Sequence, residues 1–144
     1  MCYRPPRGRG GGCGRLTGGG LVVGLGVDLV ETARVARSLQ RWGDRLVGKL
    51  MTPEEAALLP TGPDRARALA LAIAGKEAAS KAIGTGWSRG VRWRDVVVNL
   101  GPPPSVDLHG RAADVARSLG GSGRTRTSLE FRGPLAVGQV QLLS

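Results

Sequence analysis

Gly75-Lys76-Glu77-Ala78-Ala79-Ser80-Lys81-Ala82-Ile83-Gly84-Thr85-Gly86 is the stretch from which the rest of the chain becomes readable. Small, helix-favouring residues carry Glu77 and Lys81 one turn apart, and Gly84 supplies a natural C-terminal stop. Alanine dominates residues 64–83, with Leu69 and Ile73 as larger core contacts, so one central helix is predicted after the break at Pro60 to Pro63. A carboxylate that can hold a hard divalent cation, an ammonium four residues later and backbone amides freed by Gly84 and Gly86 together suit a diphosphate ligand. Upstream, Gly24-Leu25-Gly26-Val27-Asp28-Leu29-Val30-Glu31 brings a second carboxylate, Asp28, to the end of an apolar strand.

The remaining elements follow from pattern and punctuation. Leu21 to Val30 is a short apolar run that reads as a buried strand. From Glu31 to Trp42, apolar Val35, Leu39 and Trp42 recur at helical spacing, while Arg34, Arg37 and Arg41 form a basic stripe on another face. Thr52-Pro53-Glu54-Glu55 is a capping box with proline at the first helical position, starting a short helix that runs to about Leu59. Val91 to Leu100 reads as a strand, Val106 and Leu108 as part of another, and Arg111 to Leu119 as a helix. Thr125 to Phe131 and Leu135 to Leu143 read as two antiparallel strands joined across Arg132-Gly133-Pro134. The expected class is α+β, with helices packed on a mostly antiparallel sheet.

Composition limits the partners. A chain of 144 residues is the size of one domain, expected over 21–144, with residues 1–20 a disordered Gly/Arg-rich tail. The formal net charge is +10, and Arg4, Arg7, Arg9 and Arg15 lie in that tail with no acid among them. The balance favours an acidic partner. Aromatics make up only 3% of the chain and no zinc-finger or similar motif is present, which argues against nucleic acid. Cys2 and Cys13 both fall in the tail, supporting neither a disulfide framework nor a zinc site. No apolar run approaches a membrane span or a secretory signal, so a cytoplasmic protein without membrane contact is expected. Trp42, Trp87 and Trp93 read as core or loop anchors, and His109 as an exposed residue without a role.

Four stretches, in order, resemble the holo-acyl-carrier-protein synthases, the short class of 4'-phosphopantetheinyl transferases. They are Gly24 to Glu31, Arg41-Trp42-Gly43-Asp44-Arg45 leading to Met51-Thr52-Pro53-Glu54-Glu55, Lys76 to Gly86, and Trp93 to Val98. The resemblance implies the 4'-phosphopantetheinyl transferase fold and transfer of the phosphopantetheine arm of coenzyme A to a serine of an apo acyl carrier protein, releasing adenosine 3',5'-bisphosphate. It implies that Asp28 and Glu77 hold Mg2+, that Glu77 and Lys81 are catalytic, and that Lys81, Gly84, Thr85 and Gly86 bind the coenzyme. It also implies that Arg34, with Arg37 and Arg41 beside it, docks the acidic carrier protein, and that the chain forms a homotrimer.

The chain departs from the family pattern at three places. Ser128-Leu129-Glu130-Phe131 stands where Ser-x-Ser-His is usual, Ala72 replaces a phosphate-contacting arginine, and Pro102-Pro103-Pro104 replaces a turn with a basic residue. Each lost charge-assisted hydrogen bond is worth about 1.5–3 kcal/mol. The alternative expectation is therefore a transferase-fold protein that has lost or changed its chemistry and serves as a carrier-protein binder or in a specialised biosynthetic pathway.

Overall fold

The computed structural model describes residues 20–144; the tail expected over residues 1–20 lies outside the described residues apart from Gly20. Strand β1 (Val22–Glu31) leads into helices α1 (Thr32–Trp42), α2 (Asp44–Leu50), α3 (Pro53–Leu58) and the long α4 (Asp64–Ala82). A single 3-10 turn, Trp93–Asp95, opens the ribbon of β2 (Val96–Asn99) and β3 (Ser105–Leu108), after which come α5 (Gly110–Ser118), β4 (Thr125–Arg132) and β5 (Leu135–Leu143). Strand β5 is central in a three-stranded antiparallel sheet of order β1-β5-β4, and β2 pairs with β3 in a separate antiparallel ribbon. The α+β class and the mostly antiparallel pairing are as expected.

Helix α4 packs on β1 and β5, and glycine decides how closely. A methyl group added at Gly24, Gly26 or Gly138 would overlap the carbonyl oxygens of Ala82, Ala78 and Ala74 respectively. These three alanines recur every four residues, so one face of α4 rests directly on strand backbone. That contact explains both the alanine-rich helix and the glycines inside apolar strands. Larger side chains, among them Leu69, Val96, Val106, Val140 and Leu142, close the core around it and are fully buried.

The capping box at Thr52 forms as expected: Thr52 Oγ1 accepts from the Glu55 amide at 3.2 Å, and Glu55 Oε2 accepts from the Thr52 amide at 2.8 Å. Four expectations need correction. Strand β1 is not buried on both faces, because Leu25, Val27 and Leu29 alternate outward and are 55%, 47% and 59% exposed, while Gly24, Gly26 and Asp28 face α4. Residues 91–100 hold only a short strand, because the Asp95 carboxylate takes the Arg92 amide at 2.9 Å and winds the chain into the 3-10 turn first. Trp42 is 49% exposed with Arg41 stacked on its ring at 4.9 Å, so it does not join the core face of α1. Helix α2 was not anticipated: Gly43, at φ +52°, ends α1 and lets a new helix start at Asp44.

Gly48, inside α2, faces open space, so Gly48→Ala is expected to raise stability by about 0.5–1 kcal/mol. Chemical denaturation followed by circular dichroism checks this; a loss of stability would contradict the open environment.

Candidate active site

The inward face of β1 and one edge of α4 bring the polar residues together. Asp28 lies two residues beyond Gly26 on the α4-facing side of β1, opposite Gly138 of β5. Because Gly24 meets Ala82 and Gly26 meets Ala78, the two elements run in opposite directions, and Asp28 comes level with the turn that holds Glu77. Lys81 Nζ donates to Asp28 Oδ1 at 2.7 Å and to the Val27 carbonyl at 3.3 Å. The hydrogen bond to Asp28, reinforced by the charges of Asp28 and Glu77, holds the Lys81 ammonium above the usual lysine range. Since the Lys81 side chain is half-exposed, its link to Asp28 is a solvent-screened pair that a ligand can exchange.

Asp28, Glu31, Arg34, Ser38, Glu77 and Lys81 line one open cleft of about 620 Å³, with Leu29, Ile73 and Leu135 among its apolar walls. Asp28, Glu77 and Lys81 therefore share a site, joined by Arg34 from the basic stripe, whereas Gly84, Thr85 and Gly86 do not line this cleft. Arg37 and Arg41 continue outward along the exposed side of α1, whose opposite side buries Val35. Among the described residues none of these three arginines is in a salt bridge. Their charges remain available to an acidic surface.

Of the three carboxylates that line the cleft, Asp28, Glu31 and Glu77, the pair Asp28 and Glu77 fits a particular kind of cation site. Among the described residues no group of three His, Cys, Asp or Glu side chains is placed to hold a metal. Magnesium usually keeps several waters and takes one or two carboxylates plus substrate phosphates, so Asp28 with Glu77 suits that ion and not an all-protein cage. One oxygen of Asp28 already serves Lys81, leaving the other for a cation.

Gly84 and Gly86 adopt φ values of +74° and +54°, as a glycine stop demands. Their amides are not free, however. The Gly84 amide donates to the Lys81 carbonyl, and the Thr85 and Gly86 amides both donate to the Ser80 carbonyl, closing the C-terminus of α4. Side chains added at Gly84 and Gly86 would meet open space, so what the loop offers a ligand is close access to the backbone.

Three features of the site region escaped sequence reasoning. Lys81 pairs with Asp28 across 53 residues, a contact no local spacing reveals. Lys76 is fully buried and pairs with Glu55, although the capping box and the helix were each legible separately. Arg67 lies 4.1 Å over the Phe131 ring, so the phenylalanine in place of the family histidine seats a guanidinium beside it. Ala72, in place of the family arginine, is fully buried in the core.

The 4'-phosphopantetheinyl transferase superfamily model matches residues 24–129. A holo-[acyl-carrier-protein] synthase from Koribacter versatilis (strain Ellin345) is 41% identical over 124 residues, spanning 85% of this chain and 98% of its own. The chain belongs to the holo-acyl-carrier-protein synthase family. The crystal structure of this family's member from Neisseria meningitidis superposes with a TM-score of 0.73 at 26% identity, covering 86% of this chain and all of that one. The family member from Bacillus anthracis, solved in complex with CoA (3',5'-ADP), gives a TM-score of 0.69 at 26% identity over 85% of this chain and 97% of its own. Family membership and fold thus agree with the resemblance carried by the four sequence stretches.

Proposed function

We propose that this chain transfers the 4'-phosphopantetheine arm of coenzyme A to a serine of an apo acyl carrier protein, releasing adenosine 3',5'-bisphosphate, with residues 21–144 as the working domain. What carries this reading is the convergence of Asp28, Glu77, Lys81 and Arg34 on one cleft in a member of the synthase family. The carrier serine Oγ attacks the β-phosphorus of coenzyme A, and the bond from that phosphorus to the bridging oxygen breaks. Glu77 accepts the serine proton, directly or through a water. Lys81 exchanges Asp28 for phosphate oxygens and balances their charge as the bridging oxygen leaves. Gly84, Thr85 and Gly86 let the coenzyme lie close to the main chain.

Asp28 and Glu77 would hold Mg2+, which when bound supplies Lewis-acid stabilisation of the diphosphate. No helix among the described residues is long and apolar enough to cross a membrane; a cytoplasmic location without membrane contact is part of the same proposal. The positive balance is assigned to the carrier and to phosphate, not to nucleic acid. The exposed row Leu25, Val27 and Leu29 supports self-association as a homotrimer through the outer face of β1. Val27→Asp is expected to lower the oligomeric mass measured by light scattering; an unchanged mass would remove β1 from the interface.

Incubating the protein with Mg2+, coenzyme A and several apo carrier proteins, followed by intact-mass measurement of the carriers, tests the central reading. One added phosphopantetheine arm is expected. No gain on any carrier, with the protein folded and a standard transferase active on the same samples, would refute it. Reversing the charges of Arg37 and Arg41, which lie on α1 outside the cleft, is expected to raise KM for the carrier by about tenfold or more and leave coenzyme affinity unchanged. Equal losses for both substrates would overturn the docking assignment.

A further inference from the structure

Lys76 Nζ, at zero exposure, lies 2.8 Å from Glu55 Oε1 and 3.0 Å from Glu55 Oε2. It also donates to the carbonyl of Trp93 at 3.2 Å and to that of Val96. Glu55, itself only 5% exposed, accepts the Thr52 amide through Oε2 and the Val98 amide through Oε1, each at 2.8 Å. One ion pair thus ties together α3, α4, the 3-10 turn and β2. Every strong group in it has a partner.

Stability alone does not account for such a pair. Both side chains are buried, and each is held by two backbone groups as well as by the other: Lys76 by the carbonyls of Trp93 and Val96, Glu55 by the amides of Thr52 and Val98. Apolar residues of similar volume commonly replace buried pairs without loss of stability.

Helix α4 has a particular need for a polar fix. It buries residues on most of its faces, from Leu69 and Ala70 through Ala72, Ala74, Gly75 and Ala78 to Ala82, so no single apolar stripe sets its rotation. Its contact with β1 and β5 is made by alanine on glycine backbone, a surface with few projecting side chains to key it. Lys76 and Glu77 are consecutive and diverge by about 100° around the helix axis. Whatever locks the direction of Lys76 also locks that of Glu77.

We propose that the buried Glu55–Lys76 pair is a positioning device for the transfer site, fixing the rotation and height of α4 so that Glu77 and Lys81 face Asp28. This rests on the transferase reading for its consequence but not for its geometry, and the test separates the two. The chain has only three lysines, Lys49, Lys76 and Lys81, so side-chain 15N NMR of lysine-labelled protein resolves the Lys81 ammonium directly. Its resonance is assigned by the shift produced in Asp28→Asn.

Lys76→Met and, separately, Glu55→Gln are expected to give folded proteins in which the Lys81 resonance moves toward its Asp28→Asn position. With coenzyme A and an apo carrier, kcat is expected to fall by about a hundredfold, the cost of roughly 1 Å of misplacement. KM for the carrier should stay within about twofold, because α1 is untouched. Folded variants with an unchanged Lys81 resonance and unchanged kcat would overturn the proposal. So would a loss of activity that only follows the unfolded fraction, or failure of both variants to fold, since either assigns the pair to stability. If the wild-type chain modified no carrier, the transferase reading would fall, while the Lys81 resonance would still decide the positioning role.

Discussion

Asp28→Ala and Glu77→Ala each yield a folded protein whose transfer rate has fallen by at least about a hundredfold, the usual cost of losing one preorganised charge at a phosphoryl-transfer site. Neither side chain carries the fold. Asp28 meets Lys81 at the edge of an open cleft, and Glu77 lines that cleft without a hydrogen-bond partner for its carboxylate among the described residues. Truncating either one leaves the glycine and alanine contacts between β1 and α4 in place. The two variants should differ in detail: loss of Asp28 frees Lys81, whose ammonium then returns toward the ordinary lysine range, whereas loss of Glu77 removes the proton acceptor as well as one carboxylate. Intact-mass assays of the carrier across a range of Mg2+ concentrations, with circular dichroism of the variants, check the outcome. Unchanged turnover in either variant would refute its place in the site.

Gly26→Ala should be the most damaging single methyl group that can be added to the sheet. The new Cβ would overlap the backbone of Ala78, and no rotamer change relieves a clash with main chain. Overpacking of this kind costs about 3 kcal/mol or more when the backbone itself must move. For a chain of this size that corresponds to a fall in Tm of about 10 °C. The same displacement would carry Glu77 and Lys81 away from Asp28, so activity below the new Tm should drop as well. Thermal unfolding and transfer assays on one preparation separate the two effects. A stable, fully active Gly26→Ala protein would mean that α4 does not rest on β1 as described.

Local rules were enough for much of this chain. The capping box at Thr52, the helix stop at Gly84 and the paired strands around Gly133-Pro134 were legible because each depends on residues within a few positions of one another. Asp28, Glu77 and Lys81 were legible as candidates because their types and spacing suit a metal-bound diphosphate, and Arg34 as part of a basic stripe facing a carrier; the fold brings all four to one cleft. What sequence could not reveal depends on distance. The partner of Lys81 is Asp28, 53 residues away, and the partner of Lys76 is Glu55, 21 residues away. The exposure of Leu25, Val27 and Leu29 was hidden because a strand with glycine at alternate positions looks apolar throughout. Its inner face is nevertheless satisfied by α4 and its outer face is bare. The amides of Gly84, Thr85 and Gly86 read as free donors, whereas the end of α4 uses them first.

The backbone contact between α4 and β1 has a bearing on how this chain can change over time. The gap across which Asp28 faces Glu77 and Lys81 is gauged by backbone atoms at Gly24, Gly26 and Gly138, so drift at neighbouring positions other than these glycines and the Glu55–Lys76 pair has little purchase on it. A lineage can therefore lose a basic residue at position 72, exchange a histidine for Phe131 or rewrite the turn at Pro102 to Pro104 while the spacing of its reactive groups is inherited intact. Divergence is thereby channelled into affinity and partner choice, and the chemical centre is buffered against it.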